Sequence, residues 1–382
     1  MKKGIFLCFV VLCFVLGGMS PAVAGDPKEY KVGAILAMTG SGAWYGKVMS
    51  QGILLAMDEI NSKGGIDGVK FKLIVEDHES GKGPAAVSGF NKLVSIDKVP
   101  FSFSSYSTPT LSIVPIAKEK KVLLLNGGGV SPRLVKQPYL FNNRMLAMMQ
   151  GGGVLSRAKE LGLKRMATMY WNDDAGIGTQ DYIAPRWKKM GGEIVATEAF
   201  PVGATDYKSY LSKVIAANPD FLAIWAWGKD WGILVKQARE MGFTKPILGV
   251  EYSPDAHKIA GKAAEGYEFV QDAFIPKGGE EWTEKFVESY KKKYGENPEK
   301  YAANYYEGVY ILAKLIEAAK AEGGDYWKGD RLLKKLVEIK SFPSIYGGDV
   351  VFDTVEHTCI KPTALFKIVD GKKTFVKYVD VD

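Results

Sequence analysis

The chain has 382 residues, a formal net charge of +7, three cysteines and three histidines. Its lysines are scattered among acidic residues and form no blocks, so a nucleic-acid partner is not expected. Cys359 is the one cysteine beyond residue 13 and the histidines lie far apart, so we expect no internal disulfide, no metal site and no other cofactor.

The first 24 residues are typical of a cleaved secretory signal peptide. Two lysines precede an apolar run over 5–16, and Ala22 and Ala24 flank a cleavage point before Gly25. The run holds only about a dozen apolar residues, whereas a membrane span needs roughly 20. The sequence therefore predicts a mature chain that is free in the periplasm. At about 150 residues per domain, the length of this chain predicts two domains.

Strands and helices alternate from the start of the predicted mature chain. A strand at 30–36 leads through a glycine loop into an amphipathic helix over 48–60, and a strand at 71–76 follows. The alternation continues with a helix, a strand, a helix and a strand at 84–96, 99–103, 109–118 and 122–125. Such alternation predicts parallel strands with right-handed crossovers.

A second α/β unit begins after residues 139–141. Its predicted helices and strands alternate at 148–161, 166–171, 177–190, 193–200, 207–217, 221–226, 233–241 and 247–250. Three later segments look different: a strand near 269–274, long helices over 282–294 and 301–321, and a closing β region at 348–378. The predicted fold class is α/β, with two doubly wound parallel-sheet lobes.

Loops at the carboxyl ends of parallel strands are the expected ligand site, because helix N-termini there offer free amide donors. In the first unit, one such loop carries adjacent aromatic residues, a second is rich in hydroxyl groups and suits a carboxylate, and a third has consecutive glycines that admit close approach. The aromatic residues could instead pack a helix start, and the hydroxyls could cap a helix. The candidates are Trp44, Tyr45, Ser104, Ser105, Tyr106, Asn126, Gly127 and Gly128.

The second unit offers a carboxylate for a ligand amine and further aromatic side chains. Asp173 and Glu251 are the candidate amine partners, with a charge on a solvated loop as the alternative for each. Trp225 and Trp227 face one side of a strand end together, and Trp227 is predicted to reach the cleft. The candidates from this unit are Tyr170, Trp171, Asp173, Trp227 and Glu251.

Four stretches together resemble the type I periplasmic-binding family, in the branch that contains the branched-chain amino acid receptors. They are TGSGAWYG at 39–46, AMDEIN at 56–61 with GGI at 64–66, AANPD at 216–220 and IAGKAAEG at 259–266. The resemblance implies two similar lobes that close on a ligand by hinge motion. It implies crossings near Phe141, Asp272 and Tyr346, with an N-terminal lobe of 25–142 plus 275–343 and a C-terminal lobe of 143–274 plus 344–382.

The resemblance also implies an aromatic contact at Tyr45 and an anion contact at Ser105. The amino acid receptors usually have a hydroxyl residue where Val130 stands and a tyrosine where Ala175 stands, and their amine-pairing acidic residue aligns nearer Gly249 than Glu251. These exchanges predict that the ligand is a larger or aromatic solute, so a small aromatic or branched carboxylate fits as well as leucine.

The expected function is that of an extracytoplasmic substrate-binding protein, a monomer that delivers a small organic solute to the permease subunits of an ABC importer. A ligand-sensing subunit for amides, ureas or other solutes is the alternative, and the sequence does not separate the two. A hydrolase is disfavoured, because the chain has no Gly-x-Ser-x-Gly motif and no histidine in a suitable serine-to-acid order.

Overall fold

The computed structural model describes residues 26–275 and 280–380. The predicted signal peptide and its cleavage point lie outside the described residues. The first lobe is built on a five-stranded parallel sheet with the order β2-β1-β3-β4-β5. Its strands are β1 (Glu29–Leu36), β2 (Lys70–Asp77), β3 (Phe101–Ser104), β4 (Leu123–Asn126) and β5 (Leu140–Asn142).

Helices from two parts of the chain enclose this sheet. Three helices follow strands of this sheet, and three come from a later part of the chain, residues 281–339. They are α1 (Ala43–Ser62), α2 (Gly83–Lys92), α3 (Ser107–Lys120), then α9 (Glu281–Tyr294), α10 (Lys300–Ala321) and α11 (Gly329–Ile339). A π turn, Leu93–Asp97, extends α2. Helices α1 and α10 approach closely because residue 52 is glycine: a Cβ there would lie 2.2 Å from the Ala302 carbonyl oxygen.

The second lobe has a seven-stranded sheet with the order β15-β14-β10-β9-β8-β6-β7. Strands β6 to β10 are parallel, and β14 and β15 add an antiparallel hairpin at one edge. The strands are β6 (Arg165–Trp171), β7 (Glu193–Phe200), β8 (Phe221–Trp225), β9 (Ile247–Gly249), β10 (Glu268–Asp272), β14 (Thr363–Val369) and β15 (Lys372–Tyr378). The helices are α4 (Ala147–Glu160), α5 (Asp174–Lys189), α6 (Lys208–Ala216), α7 (Lys229–Glu240) and α8 (Pro254–Ala260), with a short 3-10 turn at Gly261–Ala264. A 3-10 turn at Pro132–Leu134 belongs to the first lobe. The predicted α/β fold with two parallel-sheet lobes is confirmed.

A small antiparallel sheet corrects the predicted lobe boundary at 343/344. It consists of β11 (Ser341–Pro343), β12 (Asp349–Asp353) and β13 (Thr358–Cys359). Its apolar side chains, Phe352 and Cys359 among them, pack in the core of the first lobe, whereas Ala364 begins the packing in the second. The chain therefore crosses for the third time at about 360–362. The prediction failed because a β region has the same sequence pattern whichever core it covers.

The three crossings meet at one residue of α10. Asn143, in the first crossing, donates through its side-chain amide to the Asn304 carbonyl oxygen at 3.0 Å. The Asn304 amide lies 3.4 Å from Asp272 Oδ2 in the second crossing, and Lys361 Nζ in the third donates to Asn304 Oδ1 at 2.8 Å. Asn304 is thus bonded to every segment that links the lobes.

Two helices of the structure were absent from the sequence prediction, α8 and α11. Both are short, and α8 begins with Pro254, a residue that suits the first turn of a helix. Within residues 26–275 and 280–380, no helix combines the length and the apolar character that a membrane crossing requires.

Candidate ligand-binding site

A narrow cavity lies between the lobes, where loops leave the carboxyl ends of both sheets. The first lobe, with the loop after β4, contributes Tyr45, Met49, Tyr106, Ser107, Gly128, Gly129, Val130 and Tyr301, and the second contributes Trp171, Asp173, Ala175 and Trp227. These residues are called the cavity wall below.

Five aromatic rings give the wall its apolar character. Tyr106 stacks on Trp171 across the cleft, with centroids 6.4 Å apart and planes at 19°, and Trp171 lies 5.3 Å from Trp227. Tyr45 packs edge-on against Tyr301 at 4.9 Å. The backbone of Tyr106 has φ 60° and ψ 151°, a region that costs a residue other than glycine about 1–3 kcal/mol. This strained conformation just before α3 positions an aromatic side chain against both lobes.

Hydrogen bonds across the cleft show that the lobes are closed on each other. The Gly228 amide of the second lobe donates to the Tyr45 hydroxyl oxygen of the first at 2.6 Å, and this contact is buried. Nearer the surface, Asp174 accepts from the Thr108 hydroxyl at 2.9 Å and from Arg133 Nη1 at 2.8 Å. Opening the cleft would break all three contacts.

The wall offers hydrogen-bond donors that the protein leaves unused. Ser107 Oγ accepts from the amides of Val130 and Ser131 at 3.1 and 3.0 Å, and no acceptor for its own hydrogen is recorded among the described residues. Trp227 is 4% exposed, and its Nε1 has no partner within the described ranges. Ser107 also opens α3, so the positive end of that helix faces the cavity. This arrangement suits a ligand with an anionic, accepting group.

Asp173 is the one carboxylate among the wall residues of the described chain. It caps α5 by accepting from the Gly176 amide at 2.9 Å. Burial raises the pKa of Asp173 to about 6, against the lowering effect of that hydrogen bond. Its charge is therefore costly in the closed cleft, unless a cation lies beside it.

Ser105 differs from its predicted role as an anion contact. Its hydroxyl donates to the Ile35 carbonyl at 3.0 Å and lies 2.9 Å from His78 Nε2, outside the cavity wall. His78 Nδ1 accepts from the Gly81 amide at 2.9 Å, so Nε2 carries the hydrogen and donates to Ser105. Burial lowers the pKa of His78 to about 4, so the ring is neutral. The Ser105 hydroxyl hydrogen is therefore already donated inside the first lobe. Ser107, and not Ser105, lines the cavity.

Glu251 forms an internal ion pair between the lobes and is absent from the cavity wall. Its carboxylate lies 3.1 and 3.3 Å from Lys300 Nζ and accepts from the Tyr301 hydroxyl at 2.9 Å. Lys300 also donates to Gln271 at 2.7 Å. Burial raises the pKa of Glu251, and Lys300 opposes that shift. One of the two predicted amine partners is thus occupied by a lysine of the same chain.

The remaining predicted residues divide between the wall and its support. Tyr45, Tyr106, Gly128, Trp171, Asp173 and Trp227 are brought together at the cavity. Outside the wall lie Trp44, Ser104, Ser105, Asn126, Gly127, Tyr170 and Glu251. Among these, Asn126 Oδ1 shapes the glycine loop by accepting from the amides of Gly128 and Gly129 at 3.1 and 2.6 Å.

Four wall residues are neither candidates from the sequence nor departures from the family pattern: Met49, Ser107, Gly129 and Tyr301. Val130 and Ala175 are the two departures from that pattern that also lie in the wall. The sequence does indicate Ser107, because this residue lies in the hydroxyl-rich loop that is predicted to contact the ligand. Nothing in the sequence indicates Tyr301, because it reaches the cavity from a helix that follows more than 150 residues later in the chain. The described residues contain no group of three or more side chains that could hold a metal ion.

Comparison with known proteins agrees with this geometry. A family model described as periplasmic binding protein matches residues 29–373. The chain belongs to this family. The resemblance inferred from the sequence is thereby confirmed, and the chain has the solute-binding role of its relatives.

Three relatives illustrate the similarity. The leucine-, isoleucine-, valine-, threonine-, and alanine-binding protein of Pseudomonas aeruginosa is 25% identical over 316 residues, which cover 80% of this chain and 82% of that protein. The leucine-binding protein LivK of Thermotoga maritima has a TM-score of 0.83 at 26% identity, covering 92% and 98% of the two chains. The substrate-binding protein LivJ of Streptococcus pneumoniae, solved with isoleucine, has a TM-score of 0.80 at 27% identity, covering 91% and 99%.

Proposed function

We propose that this chain is the periplasmic substrate-binding protein of an ABC importer and that its ligand is a small carboxylate with an aromatic or branched apolar body. One observation carries the proposal: the unused donors of Ser107 and Trp227 lie in a cavity otherwise walled by aromatic rings. Burying an unpartnered donor costs about 1–3 kcal/mol, and a ligand carboxylate that accepts from it recovers that cost.

The shape of the wall supports a flat or branched body over a polar one. Tyr106 and Trp171 already lie nearly parallel, with Trp227 beside them, so a planar ring or a branched chain would contact aromatic faces. Val130 and Ala175 add apolar surface without polar groups. A sugar or a polyamine would leave many polar atoms without partners in such a cavity.

An amine on the ligand would depend on Asp173. The named relatives bind branched-chain amino acids, which supports leucine, isoleucine or valine as candidates. With Glu251 occupied by Lys300, Asp173 is the wall carboxylate that could pair with the ligand ammonium. Amino acids therefore belong to the proposed ligand class, through Asp173, one of the two amine partners that the sequence suggested.

Closure of the lobes provides the mechanism. A ligand that contacts Ser107 in one lobe and Trp227 in the other binds the closed form better than the open form, and its binding free energy shifts the equilibrium between them. The closed form is the one that we propose the permease subunits recognise.

The test is a thermal-shift screen of the purified protein with aromatic acids, branched-chain and aromatic amino acids, amides and ureas, followed by calorimetry. A ligand that binds only the folded state raises the melting temperature. A carboxylate should give the largest shift. If amides or ureas stabilise the protein while carboxylates do not, the ligand proposal is wrong.

Replacement of Trp227 by Phe keeps a ring but removes the N–H, and should weaken carboxylate binding by about tenfold. Trp231→Phe is the matched control, because the Trp231 Nε1 is also buried and unpartnered in the described structure but lies in the core, stacked on Tyr267. Equal effects of the two substitutions would remove Trp227 from the site.

Transport and sensing are separated by a deletion strain. Loss of uptake of the identified solute supports the importer, whereas retained uptake with a lost response supports a sensor. Chemical conversion of the solute by the pure protein would instead support an enzyme.

A further inference from the structure

Arg144 places a buried positive charge directly behind the cavity wall. The residue is 0% exposed and lies in the first crossing between the lobes. Its Nη1 donates to the Gly128 carbonyl at 2.8 Å, and its guanidinium carbon lies 5.3 Å from the centroid of the Tyr301 ring. Gly128 and Tyr301 are both wall residues, so one layer of atoms separates the cation from the cavity.

The other buried cations near the cleft are compensated within the chain. Lys300 pairs with Glu251 at 3.1 Å, and Lys361 pairs with Glu307 at 2.7 Å. In contrast, the hydrogen bonds of Arg144 go to carbonyl oxygens, of Gly128 and Met145, and its Nη2 has no partner among the described residues. No ion pair of Arg144 is recorded in the described ranges.

A guanidinium cannot lose its proton in a protein, so burial cannot neutralise Arg144. A buried cation without a nearby anion is expensive, and the anion that offsets it must come from the chain or from a ligand. Burial lowers the pKa of Arg144, while Tyr301, Asp272 and Glu251 raise it. Neither carboxylate forms an ion pair with Arg144 in the described structure, and Asp272 Oδ1 is buried there without a partner. The cavity lies on the other side of Gly128 and Tyr301.

We infer that Arg144 supplies the positive charge that holds the ligand carboxylate, acting from behind the wall through Gly128 and Tyr301. The inference rests on the proposed function and deepens it, because it explains selection of a carboxylate over an uncharged group of the same shape. Ser107 and Trp227 donate hydrogen bonds that an amide oxygen could also accept. A charge behind the wall favours only the anion, since Coulomb attraction extends beyond hydrogen-bond distance. Arg144 is thus a positioning residue for charge selection.

The experiment compares each of three carboxylates with its primary amide: benzoate with benzamide, phenylacetate with phenylacetamide, and leucine with leucinamide. Dissociation constants are measured by calorimetry for the wild-type chain and for Arg144→Gln, Arg144→Lys and Asp272→Asn. We expect Arg144→Gln to weaken carboxylate binding by about tenfold or more while amide binding changes much less. Arg144→Lys should restore most of the preference, because it restores the charge.

Asp272→Asn keeps the inference testable if Arg144→Gln fails to fold. Removing the competing carboxylate leaves the charge of Arg144 to the ligand, so the preference for carboxylate should rise or stay the same. If Arg144 serves only to offset Asp272, Arg144→Gln should weaken the binding of carboxylates and of amides equally. Asp272→Asn should then lower the affinity for both ligand types. Either result overturns the inference. Absence of any binding to the wild-type chain refutes the proposed carboxylate ligand itself, whereas carboxylate binding without preference over the amide refutes Arg144 alone.

Discussion

The hydrogen bond between Tyr45 and Gly228 permits a test of closure that leaves the fold intact. Tyr45→Phe removes one oxygen atom and keeps the ring that packs against Tyr301 at 4.9 Å. The substitution deprives the Gly228 amide of its acceptor at 2.6 Å, in a contact buried between the lobes. In an open cleft the same amide would face water, so the loss falls on the closed state alone.

The expected magnitude follows from the burial of that amide. Leaving a buried donor without an acceptor costs about 1–3 kcal/mol, and partial relaxation places the closed-state loss at about 1–2 kcal/mol. If ligand binding is coupled to closure, as we propose, the dissociation constant should rise by roughly 5- to 30-fold, since every 1.4 kcal/mol is about a factor of ten. The melting temperature of the ligand-free protein should change much less than that of the complex.

The assay is calorimetric titration with the solute that gives the largest thermal shift, together with thermal unfolding with and without it. Tyr30→Phe is the matched control, because the Tyr30 hydroxyl bonds to the Tyr326 hydroxyl at 3.0 Å wholly inside the first lobe. That control should lower the melting temperature but leave the dissociation constant unchanged. An unchanged dissociation constant in Tyr45→Phe would refute the conclusion that ligand binding depends on this contact.

Three further predictions concern the wall, the ion pair and the helix packing. Burial raises the pKa of Asp173 from 3.8 to about 6 in the closed form, so the closed form gains a proton and is favoured as the pH falls through 6. The affinity for a carboxylate, measured by calorimetry, should therefore rise between pH 7 and pH 5. Asp173→Asn should remove this pH dependence. Lys300→Met should lower the free energy of unfolding in urea by about 3–5 kcal/mol, because it leaves Glu251 buried without its paired lysine. Adding Glu251→Leu should restore most of that stability. A double variant no more stable than the single one would contradict this prediction. Gly52→Ala should cost about 1–3 kcal/mol by forcing a Cβ onto α10, whereas Gly152→Ala, which meets no atom within 4 Å, should stabilise α4 by up to about 1 kcal/mol.

The fold was predictable because its elements are specified locally. The strand at 193–200 coincides with β7, and the strand at 221–226 extends one residue beyond β8, since each is bounded by turn residues. The third crossing was not predictable in this way. Whether β12 covers the first core or the second depends on partners far away in the chain, such as Phe141, which packs against Phe352.

The candidate site shows the same division. Tyr106 and Trp227 could be chosen because they follow strands, where loops of parallel sheets gather. The pairing of Glu251 with Lys300 could not be predicted, because those residues are 49 positions apart and lie in different lobes. The choice between Ser105 and Ser107 depended on Ile35 and His78, because Ser105 donates to the Ile35 carbonyl oxygen and accepts from His78.

Because Asn304 lies at the crossings between the lobes and outside the wall, the affinity and the selectivity of this protein could change independently of each other. Substitutions in the wall should alter which solute is preferred. Substitutions around Asn304, which contacts Asn143, Asp272 and Lys361 but is not a wall residue, should alter the balance of open and closed forms by one common factor for every solute. Affinity could therefore be adjusted to the local concentration of a nutrient without altering selectivity, during evolution or in the design of a biosensor.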